Sequence, residues 1–215
     1  MTKEYRTIKE NASAEVVEKK SRFIANVIKV NSVEEAEEHL ARLRKQYYDA
    51  KHNCYAYQIG SNNEIQKSSD DKEPQGTAGK PILEVLKQKD IKDVLVCVTR
   101  YFGGTLLGTG GLIRAYSKAT KEGILAAGMI EKRIVRLYDI TMPYTLLGKV
   151  QYLLQDKGYV IRGSQYLEDV IFTIEVLDTE TEAFEKWFIE ETNGKVMFEE
   201  GETDFIQIDV VDDEM

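Results

Sequence analysis

Apolar and polar positions alternate over the first part of the chain, from Glu15 to Val30, and this period of two predicts a half-buried strand. The spacing then becomes helical. Ser32 and Glu35 have the separation of a capping box, so we predict that a helix begins there. Its apolar stripe consists of Ala36, Leu40, Leu43 and Tyr47.

The middle of the chain alternates between short apolar runs and turn-forming residues. We predict a strand over Cys54–Ile59, a long loop over residues 59–80 and a helix from Pro81 to Lys89. The β-branched run Val94–Phe102 predicts a buried strand, and Leu112–Ala127 predicts a helix. A further short strand is expected at Lys132–Val135.

The remainder of the chain predicts the order β-α-β-β-α-β, which is the ferredoxin-like pattern. Thr181 is expected to cap the second helix of this pattern, and the last strand is expected to bury Ile206, Ile208 and Val210. The predicted strands span residues 137–144, 160–167, 169–176 and 204–211. The first predicted helix spans residues 145–159, and the second begins at Thr181 and carries Phe184, Trp187 and Phe188. The sequence therefore predicts an α+β protein with two domains, residues 1–136 and 137–215, the second of which ends in a frayed acidic tail.

Charge divides the chain at the same place. Residues 1–136 contain 24 Lys or Arg and 18 Asp or Glu, a net charge of +6, whereas residues 137–215 contain 5 and 19, a net charge of -14. The overall net charge of -8 hides this asymmetry. Such a split indicates a polyanionic partner for the basic part, although two simply solvated surfaces would produce it as well.

A glycine-rich stretch follows the predicted buried strand and precedes a helix. It reads RYFGGTLLGTGGLIRAY over residues 100–116. Backbone N–H groups at such a corner, together with the helix N-terminus, form a site for an anion. The alternative is that the glycines only let the helix pack closely on the sheet. The candidate nucleic-acid or anion contacts are Arg22, Lys80, Arg100, Tyr101, Gly103, Gly104, Gly108, Gly110, Gly111, Arg114, Tyr116 and Lys118.

The glycine spacing does not match two well-known phosphate motifs. Gly103 and Gly108 have the spacing of a P-loop, but Thr109 and Gly110 follow in place of Lys and Ser or Thr. The dinucleotide fingerprint would need a glycine at Ile113. We therefore predict no cofactor.

Three carboxylates, Asp70, Asp71 and Glu73, lie in the loop SDDKEPQGTAGKP. They could hold a divalent cation, pair with Arg100 or Arg114, or form a solvated turn; the second and third alternatives are favoured, so no metal is predicted.

His52 and Cys54 lie two residues apart, on one face of the predicted strand. A Cys nucleophile with a His base is one interpretation, and a buried structural Cys with a hydrogen-bonded His is the other. His52 and Glu73 are accordingly only weak candidates for catalysis. Two cysteines, no apolar signal region and no long apolar stretch predict a cytoplasmic protein outside the membrane.

The glycine stretch, together with KKSRFIA, KHNCYAY and SDDKEPQGTAGKP, resembles the YigZ/IMPACT family over residues 1–136. The resemblance implies a first domain similar to domain IV of elongation factor G, an α/β sandwich, followed by a ferredoxin-like domain. The family motif maps onto Ser21, Arg22 and Phe23 and onto His52 and Asn53. It also maps onto the glycine stretch and onto residues 69–81, which we name the acidic loop, at Asp70, Asp71, Glu73, Pro74, Gly76, Thr77, Gly79 and Pro81. Two positions depart from it. The family has glycine where Lys72 stands, and an isoleucine-lysine pair where Thr105 and Leu106 stand.

These observations lead to an expected function. The protein is expected to be a monomer that associates with RNA, a ribosome or a translation-related protein, and to act in translation or its regulation without catalysis. The alternative is an enzyme of unknown reaction whose site lies between the glycine stretch and the acidic loop, and a protein scaffold is a third possibility.

Overall fold

The structure is a computed structural model that describes residues 4–210. These residues form ten β-strands and five α-helices, so the expected α+β class is confirmed. Contacts divide them into two compact units, residues 4–132 with 207–210, and residues 133–206. The predicted acidic tail and the last residue of the final predicted strand lie outside the described residues. No helix in the described part is long and apolar enough to cross a membrane.

The first unit contains a five-stranded sheet with helices on both faces. Its helices are α1 Val33–Gln46, α2 Gly79–Gln88 and α3 Gly108–Ala127. The five strands of this sheet are β2 Ala12–Glu18, β3 Ser21–Lys29, β4 His52–Ile59, β5 Ile65–Ser69 and β6 Val94–Tyr101, and a further strand, β1 Tyr5–Ile8, pairs with the start of the strand that follows α3. The sheet order is β2-β3-β6-β4-β5, and each adjacent pair is antiparallel.

Side-chain alternation along β4 explains this sandwich. Tyr55 and Tyr57 pack on the face that α1 covers, whereas Cys54 and Ala56 pack on the opposite face against α2 and α3. Both faces of the sheet are therefore buried at β4, and all residues of this strand after His52 are buried. The α/β sandwich is confirmed, while the likeness to elongation factor G stays a prediction.

The start of α1 follows from its sequence. The Ser32 hydroxyl accepts a hydrogen bond from the Glu35 backbone N–H at 3.2 Å, as the capping box predicts. The Glu35 carboxylate accepts from the Asn31 backbone N–H at 2.7 Å, one residue earlier than in the standard box.

Four features of the first unit differ from the sequence prediction. The segment predicted as one strand is a hairpin, because Lys19 and Lys20 have φ of 46° and 68° and turn the chain between β2 and β3. Strand β5 lies inside the predicted long loop, where its mostly exposed residues carry no apolar pattern. Strand β1 was not predicted, and α3 begins at Gly108, four residues before Leu112.

The second unit has the predicted strand-helix-strand-strand-helix-strand order. Its elements are β7 Met129–Met142, α4 Leu147–Asp156, β8 Val160–Tyr166, β9 Val170–Leu177, α5 Thr181–Thr192 and β10 Met197–Val210, with short 3-10 turns at Tyr144–Leu146 and Asp178–Glu180. Its strand order is β10-β7-β9-β8, which confirms the ferredoxin-like pattern. The predicted domain boundary at residue 136 falls inside β7, whose first residues pair with β1.

Apolar side chains of β7, β9, α4 and α5 form the core of the second unit. Val170, Phe172, Ile174 and Val176 alternate into it as predicted. Burial of the last strand was wrongly predicted, because Ile208 is 37 % exposed and its apolar neighbours are only partly buried. The cap at Thr181 was also wrong, because its hydroxyl donates to the Asp178 carbonyl and caps no backbone N–H.

Candidate functional site

A cluster of polar side chains lies at one end of the first unit's sheet, on the face that α2 and α3 cover. His52 of β4 is directly opposite Arg100 of β6 in the antiparallel register. Strand alternation places Cys54 and Arg100 on this same face, since Cys54 and Val98 both belong to its core. Tyr116 enters the cluster from α3. The sheet, the helix and the acidic loop therefore meet here.

Glu73 is the centre of this cluster. Its Oε1 accepts hydrogen bonds from Arg100 Nη1 at 2.6 Å and from the Tyr116 hydroxyl at 2.9 Å. His52 Nε2 lies 4.0 Å from the same oxygen. The side chains of Glu73 and Arg100 are only 3 % and 7 % exposed, so their charges compensate each other away from water. We name Glu73, Arg100, His52, Tyr116 and Cys54 the buried polar cluster.

The other two carboxylates of the acidic loop hold its backbone in place. Asp70 Oδ1 accepts from the N–H groups of Ala78 and Gly79 at 3.0 and 2.8 Å, which anchors the start of α2. Asp71 Oδ2 accepts from the Asn53 N–H at 2.7 Å. These oxygens are used by the protein itself, and no group of three or more His, Cys, Asp or Glu within residues 4–210 is arranged to hold a metal ion.

Cys54 is not prepared to act as a nucleophile. Its thiol donates to the Asp70 carbonyl at 3.0 Å and contacts the Tyr116 hydroxyl at 3.3 Å. Burial raises the pKa of this thiol well above its ordinary value, so the thiolate that attacks substrates is suppressed. Burial likewise raises the pKa of Tyr116, and the adjacent Cys54 and Glu73 add to the effect.

His52 retains limited access to solvent, because its side chain is 20 % exposed. Its Nδ1 lies 2.8 Å from the Asp71 carbonyl, which can only accept, so Nδ1 carries the proton. In the neutral ring, the Nε2 that faces Glu73 is then the unprotonated nitrogen.

The glycine stretch forms the corner between β6 and α3. A Cβ atom at Gly103 would lie 2.0 Å from the Lys20 carbonyl carbon, so only glycine fits against the β2–β3 turn. The Gly103 N–H donates to the Ser21 hydroxyl at 3.1 Å. Close packing therefore explains Gly103, but the contact is with the β2–β3 turn and not, as the alternative expected, between a helix and the sheet.

The first turn of α3 has no side-chain cap. Gly108 has a φ of 69°, and the cap residue Leu107 supplies no side-chain hydrogen bond to the first turn. Gly110 and Gly111 lie in that turn, whose backbone N–H groups have no partners within the helix. The Arg114 guanidinium reaches back over it, since its Nη1 lies 3.6 Å from the position of a Cβ on Gly110.

Exposed cations surround this helix start. Lys19 and Lys20 extend from the β2–β3 turn, and Arg114 and Lys118 extend from α3. We name these four residues the basic patch. A cavity of about 210 Å³ lies among them. It is lined by Glu18, Lys19, Leu107, Gly111, Arg114, Ala115 and Lys118.

Two residues that were predicted to contact nucleic acid or an anion are buried instead. Arg100 and Tyr116 are 6 % and 0 % exposed and are bound to Glu73, so neither can approach a phosphate or a base. A buried guanidinium needs its carboxylate partner, and that requirement removes Arg100 from the surface.

Two further predicted residues lie on the other face of the sheet. Arg22 pairs with Glu15 at 2.8 Å and lies over the Tyr101 ring at 5.6 Å. The Tyr101 hydroxyl donates to Asp49 at 2.7 Å, and this bond raises the pKa of Tyr101 to about 12. Lys80 is exposed on the first turn of α2.

Lys19, Lys20 and Phe102 are exposed at this corner but were not among the predicted contacts. The two lysines interrupt an otherwise alternating segment, and that interruption is the signal that would have revealed the turn. Phe102 is 53 % exposed beside Gly103, whereas the apolar run before it suggested a buried ring.

Comparison with known proteins identifies both halves of the chain. Residues 19–124 match the family model described as the Impact N-terminal domain, and residues 140–195 match a domain of unknown function, DUF1949. A solved structure titled "Crystal structure of an hypothetical protein" is 27 % identical with a TM-score of 0.59, and the match covers 94 % of this chain and 99 % of that one.

Relatives match over most of their length. The IMPACT family member YvyE of Bacillus subtilis (strain 168) is 44 % identical over 96 % of this chain and 95 % of its own. The IMPACT family member YigZ of Escherichia coli (strain K12) is 34 % identical over 73 % of this chain and 78 % of its own. Protein IMPACT of Rattus norvegicus is 34 % identical over 44 % of this chain and 31 % of its own. The chain therefore belongs to the IMPACT family.

Proposed function

We propose that this protein binds RNA, on its own or in the ribosome, through the basic patch, and acts in translation or its regulation without catalysing a reaction. The observation that supports this most directly is that Lys19, Arg114 and Lys118 line one cavity at the start of α3, while Lys20 is exposed next to Lys19 in the β2–β3 turn. None of the four forms an ion pair within residues 4–210, so their charges are available to phosphates.

The charge distribution supports the same proposal. Residues 1–136 have a net charge of +6, while residues 137–215 have a net charge of -14. The acidic part limits indiscriminate binding to polyanions, or it meets a basic ribosomal protein. Both cysteines are buried and unpaired, which fits action in the reducing cytoplasm.

The test is binding of the intact protein to purified ribosomes and ribosomal RNA at about 50 and 200 mM salt, because phosphate contacts release counterions and weaken with salt. The variant Lys19→Ala/Arg114→Ala/Lys118→Ala should bind more weakly and show a salt slope lower by roughly 2 to 3. The matched control Lys45→Ala/Lys51→Ala/Lys87→Ala removes the same charge from exposed positions elsewhere in the first unit. Absence of binding at both salt concentrations, or equal loss in both variants, would contradict the proposal.

An enzymatic function is the second candidate, favoured by the approach of His52 Nε2 to Glu73 Oε1 at 4.0 Å beside Arg100. Glu73 is already shared by two donors, which argues against a free acid or base. The discriminating experiment is a small-molecule screen by thermal shift. A compound that stabilises the native protein but not a His52→Asn variant would favour the enzymatic function.

A further inference from the structure

Phe102 is an exposed aromatic ring that rests on a rigid support. Its side chain is 53 % exposed, and the Arg100 guanidinium lies 5.7 Å from the ring centroid. Arg100 is fixed in turn by Glu73 at 2.6 Å and packs on the Phe23 ring at 5.5 Å. A cation within about 6 Å of a ring centroid is attracted to the ring. The ring therefore contacts a fixed cation on one side while about half of its surface faces solvent.

This ring lies next to the basic patch. Gly103 follows Phe102 directly and packs so closely on the Lys20 backbone that no Cβ would fit. The chain then passes through an exposed loop to the start of α3, where Arg114 and Lys118 extend. An exposed aromatic ring and exposed cations thus follow each other along the corner between β6 and α3.

This pairing discriminates between nucleic-acid ligands. In a duplex the bases are stacked on each other, and a side chain at the backbone has no base face to contact. An unpaired base can stack on an aromatic ring while cations follow its backbone. The carboxylates of an acidic protein segment would satisfy the cations but would themselves offer no flat face to the Phe102 ring.

We propose that Phe102 stacks on an unpaired base of a single-stranded RNA segment whose phosphates lie on the basic patch. The inference rests on the RNA binding proposed above and specifies the class of RNA as single strands or loops.

The test measures binding of the full-length protein to a fluorescein-labelled uridine-rich single strand and to a blunt RNA duplex of the same length. We expect the native protein to prefer the single strand. Phe102→Leu should weaken single-strand binding about tenfold and leave duplex binding nearly unchanged. Phe102→Trp should retain single-strand binding, because the indole ring also offers a face on which a base can stack. Tyr48→Leu is the matched control, because Tyr48 is 84 % exposed in the same unit and lies outside the basic patch.

The outcomes separate this inference from the function on which it rests. If the native protein binds neither RNA, the proposed function fails. If it binds RNA but Phe102→Leu binds the single strand as well as the native protein does, or loses both ligands equally, stacking is overturned while RNA binding stands. Should Phe102→Leu fold poorly, retention of single-strand binding by Phe102→Trp and its loss in the non-aromatic Phe102→Met at unchanged melting temperature would still support the ring's role, and equal binding by these two variants would overturn it.

Discussion

The Glu73 carboxylate accepts a 2.6 Å hydrogen bond from the Arg100 guanidinium, and this contact joins the acidic loop to strand β6. The two side chains are almost fully excluded from solvent. In such surroundings each charge depends on the other, since an isolated buried charge is strongly unfavourable. The pair thus explains why a long, polar loop is held tightly against the sheet.

Removing the negative charge of this pair should destabilise the protein strongly. Glu73→Gln leaves the Arg100 cation buried without a counter-charge, so we expect a loss of about 3 kcal/mol in the free energy of unfolding. Urea unfolding followed by far-ultraviolet circular dichroism measures it. The control Glu37→Gln breaks an exposed pair with Lys67 and should change stability by less than about 1 kcal/mol. Similar losses of unfolding free energy in both variants would show that the buried pair contributes no more to stability than the exposed pair.

Gly103 and Gly110 should respond in opposite ways to an added methyl group. Gly103→Ala forces a Cβ into the backbone of Lys20, and we expect it to destabilise by about 2 kcal/mol or more. Gly110→Ala meets only the Arg114 guanidinium at 3.6 Å, so the substitution should be neutral or slightly stabilising. Thermal melting of the two variants compares them, and equal melting temperatures would contradict the close contact at Gly103.

The turn at Lys72 predicts a stabilising substitution. Lys72 has a φ of 70°, so a lysine occupies a left-handed position of this turn. A side chain in this conformation costs roughly 1 kcal/mol, and Lys72→Gly should recover up to that amount. Glu84→Gly, at an exposed position inside α2, should instead destabilise by about 1 kcal/mol. A shift of both urea midpoints in the same direction would refute the strain at Lys72.

The buried thiols make stability depend on alkaline pH. Burial raises the pKa of Cys54 and raises the pKa of Cys97 to about 12, whereas the unfolded chain ionises near the ordinary thiol pKa of about 8.5. The contribution of the two buried thiols to the free energy of unfolding is therefore complete below that pH. It is lost as the pH rises above it, because only the unfolded state then releases protons. The urea midpoint should fall between about pH 8 and pH 10. Cys54→Ala/Cys97→Ala should show a smaller fall, and an identical fall would assign the effect to other groups.

Periodicity identified most elements because the side chains that form it are neighbours along the chain. The alternation of β9 and the stripe of α1 lie within single segments, so local sequence is sufficient to predict them. Strand β5 was missed because its side chains are mostly exposed and follow no apolar pattern. The start of α3 was missed because its first turn is rich in glycine, which is a weak helix former.

The candidate site could be predicted only in part. Lys118 and Arg114 are exposed as expected, but Arg100 and Tyr116 had been assigned to the surface by their position beside the glycines. Their actual partner, Glu73, is 27 residues from Arg100 and 43 from Tyr116 along the chain. Pairing of the acidic loop with Arg100 was one of the favoured alternatives and is confirmed for Glu73, but no local pattern indicates that Tyr116 joins this pair.

By itself, the sequence determined the α+β class, the ferredoxin-like order of the second half, the charge asymmetry and the family motifs, since each depends on residue type and short spacing. The tertiary structure alone decided which cations face solvent. The order β2-β3-β6-β4-β5 places His52 opposite Arg100 and brings the acidic loop over both. Burial then requires a counter-charge for Arg100, and the exposed cations that remain, together with Phe102, define the surface proposed to bind RNA.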